Sequence, residues 1–354
     1  MDLNNIVSQF FPNAIVKSIN IFGNGHINST YKVEFKECEQ EYILQKLNTN
    51  VFTQPYNLVE NHLKIQEYLH QKNQDIEIPK LIKATSDSFL YKDDKGSVWR
   101  MMNFIKDSYS VEVVESKNQA HEAGKGFGWF LLSCSELNSS EFHEAIKDFH
   151  KLSFRLNQFN KAIKLDKANR CALVQDIIEF YQNRASTLLQ IEDLINADEI
   201  PVRVVHNDTK INNLLFRNDK TIAVIDLDTV GPGVVFNDYG DALRTITNTS
   251  SEDEKEIDLV KFNVDAFEAF SKGYLQQIKS ILVPKEKELL YKSPILMTYI
   301  MGIRFLTDYL NGDIYYKTKY QEHNLVRSKV QKRLIEQMEI EENKMIEIIN
   351  IHIN

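Results

Sequence analysis

The stretch RVVHNDTKINNLLF, Arg203 to Phe216, decides how this 354-residue chain is read. A β-branched run delivers His206, then the carboxylate of Asp208. Lys210 follows two residues later and the amide of Asn213 five residues later, before an apolar run resumes. Thirteen residues after Asn213, at the end of Ala223-Val224-Ile225, comes Asp226, with Asp228 two positions on. Side chains alternate along an extended segment, so Asp226 and Asp228 are expected on one side of it. Carboxylates flanked by Val and Ile are costly to hold together without a cation. The bland alternative is a polar turn.

The spacing His-x-Asp-x-x-x-x-Asn is the catalytic-loop pattern of kinase-fold enzymes. Alone it is a weak signal; the distance to Asp226 gives it weight. Phosphoryl transfer is mostly positioning and charge neutralisation. Asp208 is then expected to take the hydrogen bond of an attacking hydroxyl, and Lys210 to put positive charge on the moving phosphoryl group. Asn213 and Asp226 are expected to hold a metal ion, with Asp228 a second metal ligand or an inner base. ATP and Mg2+ are the cofactors this chemistry calls for.

Upstream, the first hundred residues read mainly as strands. Residues 15–22 are β-rich and end at Gly23-Asn24-Gly25; residues 30–35 alternate, with Tyr31, Val33 and Phe35 on one face; residues 41–47 make a third strand. A helix is expected over 59–70 from its 3.6-residue period, then strands over 88–91 and 98–105. This is the order of a small kinase N-lobe. The turn Gly23 to Thr30, including Asn24, Gly25, His26 and Asn28, can present backbone N–H groups to phosphates, although it lacks the third glycine of G-x-G-x-x-G. A plain hairpin turn is an equal reading, and His26 is either solvated or turned toward substrate. Against V-A-I-K, the ATP-lysine position falls on Gln45, with Lys46 one residue later. Only one of the two can face phosphate unless a bulge intervenes. Glu60 is a candidate partner for such a lysine, or part of a solvated helix face.

Downstream, helices are expected over 120–134, 140–159 and 167–195, interrupted by β-rich patches at 202–205, 214–216 and 223–227 and resuming to the end. The lobe boundary falls near Asn103 to Lys106, dividing the chain at 1–103 and 104–354. In Asn237 to Arg244, Asp241 is expected to brace the catalytic loop from behind, next to His206, while Asp238 reads as a helix cap. Arg304, Asp308 and Tyr309 have helical spacing ahead of the turn Asn311-Gly312-Asp313. They suit either a polar sugar or a structural tie.

A formal charge of −8 argues against a nucleic-acid partner but not against ATP, which needs only local positive charge. Cys38, Cys134 and Cys171 are far apart and outside any C-x-x-C pair, so they read as small buried hydrophobes. The first residues, MDLNNIVSQFFPN, lack a signal-peptide pattern, and no apolar run approaches the ~18 residues of a membrane span. A cytoplasmic protein, monomeric or a weak homodimer, is the expectation.

The blocks GNGHINSTY, YILQKLN followed by VF, WRMMNFI, EAGKGFGWF, HNDTKINN, VIDLDTVGPG, DYGDALR and RFLTDYLNGDIYY run from about Gly23 to Arg327. With them the chain resembles the N-acetylhexosamine 1-kinase branch of the aminoglycoside/choline phosphotransferase superfamily. The resemblance implies an α+β, protein-kinase-like bilobal fold with a small antiparallel-sheet N-lobe and a larger, mainly helical C-lobe. It implies ATP-dependent phosphorylation of the anomeric hydroxyl of N-acetylglucosamine or N-acetylgalactosamine. Under it, Asp208 is the base, Asn213 and Asp226 bind metal, and Asp228 lies close to metal or sugar. His26, Arg304 and Tyr316 lie near the sugar, and Met102 and Asn103 border adenine. The Gln45-Lys46 pair resembles that branch's own pattern. A kinase for another small hydroxyl compound (aminoglycoside, choline or homoserine) is the runner-up, and an inactive binding module is a third reading.

Overall fold

The computed structural model describes residues 2–23, 27–71 and 76–353. The chain begins with α1 (Leu3–Ser8), β1 (Val16–Ile21), β2 (Ser29–Phe35), β3 (Tyr42–Lys46), α2 (Pro55–His70), β4 (Leu81–Ile82), β5 (Tyr91–Lys92) and β6 (Val98–Asn103). It continues with α3 (Lys117–Cys134), α4 (Leu152–Leu165), α5 (Gln175–Asn196), β7 (Arg203–Val205), β8 (Leu214–Arg217) and β9 (Lys220–Val224). It ends with β10 (Gly231–Gly233), α6 (Val235–Ile246), α7 (Val264–Ile278), α8 (Pro284–Leu289), α9 (Ser293–Asn311), α10 (His323–Ile340) and α11 (Glu342–Ile353). This is the expected α+β class: an antiparallel sheet first, helices after it.

Two compact units divide these elements. The first comprises Met1–Ser110, Ser140–Lys147 and Asn213–Gly231; the rest forms the second. The first unit therefore extends past the expected boundary and takes in the β8–β9 hairpin.

In the first unit the sheet runs β1-β2-β3-β6-β4, with β5 on β6. The alternation read in β2 holds: Val33 and Phe35 are buried with Leu44, Trp99 and Met101 under Ile6, Val7 and Phe10. Helix α1, unanticipated from sequence, starts at Asp2, whose carboxylate accepts the N–H of Asn4. Helix α2 packs Val59 against Leu47, Leu81 and Val98. The hairpin is tied in by bridges between Glu77 and Ala223 and between Tyr109 and Phe216.

A helix was expected over 140–159, but α4 begins only at Leu152. The reason is competition for backbone groups. The Asn61 side chain accepts the N–H of His143 at 2.9 Å and donates to its carbonyl at 2.8 Å, holding that segment to α2 instead.

In the second unit, α3 and α7 approach through glycines. A Cβ on Gly124 would stand 2.1 Å from the carbonyl oxygen of Phe270, and one on Gly273 2.1 Å from that of His121. The block EAGKGFGWF thus marks a close helix crossing. Cys134 and Cys171 are buried as expected, whereas Cys38 is exposed in the charged turn before β3. No helix among the described residues is long and apolar enough to cross a membrane.

Candidate active site

The motif His206 to Asn213 is shared between the units: residues up to Asn212 belong to the second, and Asn213 opens the hairpin of the first.

In the second unit β7 ends at Val205, just before His206, and Asn207 turns the chain with a left-handed φ of 62°. The Asp238 carboxylate accepts the backbone N–H of His206 at 2.8 Å and of Asn207 at 2.7 Å. The Thr209 hydroxyl donates to the Asp238 carbonyl, Asn237 donates to the Asn207 side chain, and His150 Nε2 bonds the Asn207 carbonyl at 2.8 Å. The His206 ring lies edge-on to Phe127 and Phe130.

The brace is therefore Asp238, and the expectation for Asp241 is corrected. Asp241 instead accepts from Arg244 Nε and Nη2, at 3.1 and 3.0 Å. The two acids sit three residues apart on α6, one turn of helix, so only their surroundings separate the roles. Burial pushes the Asp238 carboxyl up to about 7 against the pull of its two backbone bonds.

Asp208 is held beside Lys210, with Nζ 2.8 Å from Oδ1. Partial burial opposes the lysine charge, but the carboxylates of Asp208 and Asp241 outweigh it and raise the ammonium above its ordinary value. Lys210 stays a cation at any working pH. Burial lowers His150 to about 4, with the charges of Asp241, Arg304 and Asp208 acting on it as well. The ring is thus neutral and lies within the field of both the catalytic loop and Arg304.

Arg304 stacks over Phe149 and Tyr316, with its guanidinium carbon 5.3 and 5.8 Å from the ring centroids. The contact that fixes its guanidinium is to the Met301 sulfur, at 3.3 Å. Asp308 is buried and accepts the N–H of Ile314, Tyr315 and Tyr316 together with the Asn324 amide. It ties the loop that carries Tyr316, as the structural reading of that helix expected.

In the first unit, Ile225 N–H donates to the Asn213 carbonyl at 2.9 Å, so Asn213 and Asp226 leave neighbouring positions of one hairpin. Asp226 is exposed with φ 58°. A carboxylate and an amide oxygen are hard donors of the kind Mg2+ takes alongside phosphate oxygens. Among the described residues no group of three or more His, Cys, Asp or Glu forms a ready cage, and Mg2+ does not need one.

Asp228 is 3% exposed, with Oδ2 accepting from Asn28 at 2.8 Å and Oδ1 2.5 Å from Arg100 Nη1. Arg100 also directs Nε and Nη2 to the Gln45 side chain at 2.9 and 2.7 Å, and Gln45 donates to Thr30. Lys46 points the other way, on the face of Leu44 and Trp99, where its charge acts on Asp93. Glu60 pairs with Lys64 and His143 rather than with a strand lysine. Asn103 accepts the N–H of Lys80, and Met102 is buried beside it on β6. Asn24, Gly25 and His26 lie outside the described residues.

Arg100, Asp238 and His150 were missed from sequence. An arginine alternating within the apolar strand VWRMMN was the one available signal, since a buried charge demands a partner. Nothing in the sequence marks His150.

Residues 18–269 match the phosphotransferase enzyme family, and the chain belongs to that family. Among solved structures it is similar to a microcompartment-associated aminopropanol kinase, with 17% identity, TM-score 0.64, and coverage of 97% of this chain and 98% of that one. It is similar also to the amicoumacin kinase hAmiN, bound to AMP-PNP, Ca2+ and amicoumacin, with 13% identity, TM-score 0.63 and coverage of 94% and 93%. Choline kinase from Cryptosporidium parvum gives 14% identity, TM-score 0.60 and coverage of 99% of both chains. These likenesses establish the kinase-like fold.

Proposed function

We propose that this chain transfers the γ-phosphoryl group of ATP, with Mg2+, to the anomeric hydroxyl of an N-acetylhexosamine. The observation that carries the transfer is the catalytic loop: Asp208 is held against Lys210 by a loop anchored by five hydrogen bonds to Asp238, Asn237 and His150. Asp208 takes the hydroxyl proton as the acceptor oxygen bonds to phosphorus and the bond to the β-phosphate breaks, leaving ADP. Lys210 offsets charge on the phosphoryl oxygens. Asn213 and Asp226 would hold the Mg2+, which when bound neutralises phosphate charge.

The sugar reading draws support from the resemblance and from the surroundings of Arg304. A guanidinium stacked on two rings near the loop offers donors to hydroxyl or acetamido oxygens. Arg155 lies close enough for the two charges to interact. Two cations disfavour the positively charged acceptors that choline or an aminoglycoside would be. The alternative, another small hydroxyl compound, is compatible with the family and with the aminopropanol and choline kinases of similar fold.

The test is ATP consumption against a panel of free sugars, aminoglycosides and amino alcohols, with phosphorus NMR on the product. An anomeric phosphate on N-acetylglucosamine or N-acetylgalactosamine is expected; turnover confined to amines would overturn the sugar assignment.

A further inference from the structure

In the kinase strand pattern the nucleotide lysine falls on Gln45, a neutral residue. Directly opposite Gln45 across the β3–β6 ladder is Arg100, on the same face of the sheet. Arg100 is 2% exposed and Asp228 3%. A buried ion pair is weak evidence for stability, because desolvation offsets its attraction, and an apolar pair of similar volume would serve the sheet as well. The pair belongs instead to a chain of contacts. Gln45 holds the guanidinium and Thr30. Asp228 holds the guanidinium and Asn28, and the Asn28 side-chain Oδ1 accepts the Asn48 N–H at 3.0 Å. Asn28 immediately precedes β2 and Thr30 lies within it, and Asp228 lies two residues beyond Asp226.

We infer that Arg100 and Asp228 form a positioning clamp. The clamp fixes the start of β2 to the segment that follows β9 and carries Asp226, and it assigns the metal ion to Asp226, not Asp228. One Asp228 oxygen accepts a hydrogen bond from the Asn28 amide, and the other is in ion-pair contact with the Arg100 guanidinium without a hydrogen bond. Asp226 is exposed at the hairpin end. Arg100 acts through Asp228 and Gln45 rather than by touching substrate. The inference rests on the proposed nucleotide-binding reading of this unit.

The test compares wild type, Asp228→Asn, Arg100→Gln and the double variant Arg100→Gln/Asp228→Asn. The readout is ADP binding by calorimetry with and without Mg2+, alongside thermal melting. Each single change leaves one buried charge unpaired and is expected to weaken Mg2+-dependent ADP binding roughly 10-fold or more. The double variant, in which two amides face one another, is expected to recover most of that loss and to melt close to wild type. If Asp228 were a metal ligand, the double variant would stay as weak as Asp228→Asn and would lose the Mg2+ enhancement; that result overturns the clamp. Should a single variant fail to fold, the double variant against wild type decides alone: Mg2+ enhancement kept, or lost. Absence of any ADP binding by wild type overturns the nucleotide reading and the clamp with it. Wild-type binding with an unrestored double variant overturns only the clamp.

Discussion

The carboxylate of Asp238 accepts the backbone N–H groups of both His206 and Asn207, at 2.8 and 2.7 Å, and so sets the turn that presents Asp208. Asp238→Ala removes the acceptor of two buried donors, each costing about 1–3 kcal/mol when left unpaired. The expected outcome is a lower melting temperature. Because misplacement of a catalytic group by about 1 Å can cost ~100-fold, kcat should fall by about that factor while ADP affinity changes little. Steady-state kinetics and calorimetry on one preparation check both. A large loss of ADP affinity with kcat intact would count against the brace.

Asp208 and Asp226 have separable roles in the proposed chemistry. Asp208→Asn should leave nucleotide affinity near wild type while turnover falls by orders of magnitude. Asp226→Ala should abolish the Mg2+-dependent part of ADP binding. Unchanged turnover in the first variant, or unchanged Mg2+ enhancement in the second, removes that residue from its role.

Gly124 is where α3 meets α7. A methyl group there would lie 2.1 Å from the Phe270 oxygen, a backbone atom that cannot rotate away. Gly124→Ala should therefore destabilise the protein by about 1–3 kcal/mol or more, although alanine favours helix. Denaturant unfolding measures it, and an unchanged midpoint would show that the helices can part freely.

His62 on α2 is buried, donates from Nε2 to the Pro79 carbonyl at 2.7 Å, and is lowered to about 4 by burial and then by the Arg100 charge, against the pull of Asp228. Its folded value lies below the unfolded 6.5, so between about pH 4 and 6.5 the native state binds fewer protons. The stability contribution is present above pH 6.5 and is lost as pH falls toward 4. The loss is on the order of 3 kcal/mol. Urea midpoints at pH 7.5 and 5 should differ more in wild type than in His62→Gln; equal differences would show that the ring does not control this window.

Asp308 gathers three backbone N–H groups and the Asn324 amide around the loop bearing Tyr316. Under the proposed function, which puts Tyr316 and Arg304 at the acceptor, Asp308→Ala should raise the KM for the acceptor roughly 10-fold and leave the KM for ATP nearly unchanged. A matched rise in both constants would indicate general loosening.

Much of the fold was legible before any coordinates. Strands β1, β2 and β3, helix α2 and the hairpin β8–β9 follow from local periodicity and turn residues, which act over a few positions. The segment 140–151 was not legible, because Asn61, some eighty residues away, claims its backbone groups. The same divide runs through the site. Asp208, Asn213 and Asp226 stand out as candidates because their spacing matches the kinase catalytic-loop pattern.

The sequence by itself thus determined the class of chemistry, the candidate catalytic motif and the order of elements, since spacing and alternation are properties of the chain. Tertiary structure alone decided that Asp238 rather than Asp241 braces the loop and that Gln45, not Lys46, shares its face with Arg100. The contact that closes that face, Asn28 to Asp228, joins residues 200 positions apart. Partners at such distance are set by strand register and packing, to which local sequence carries no pointer.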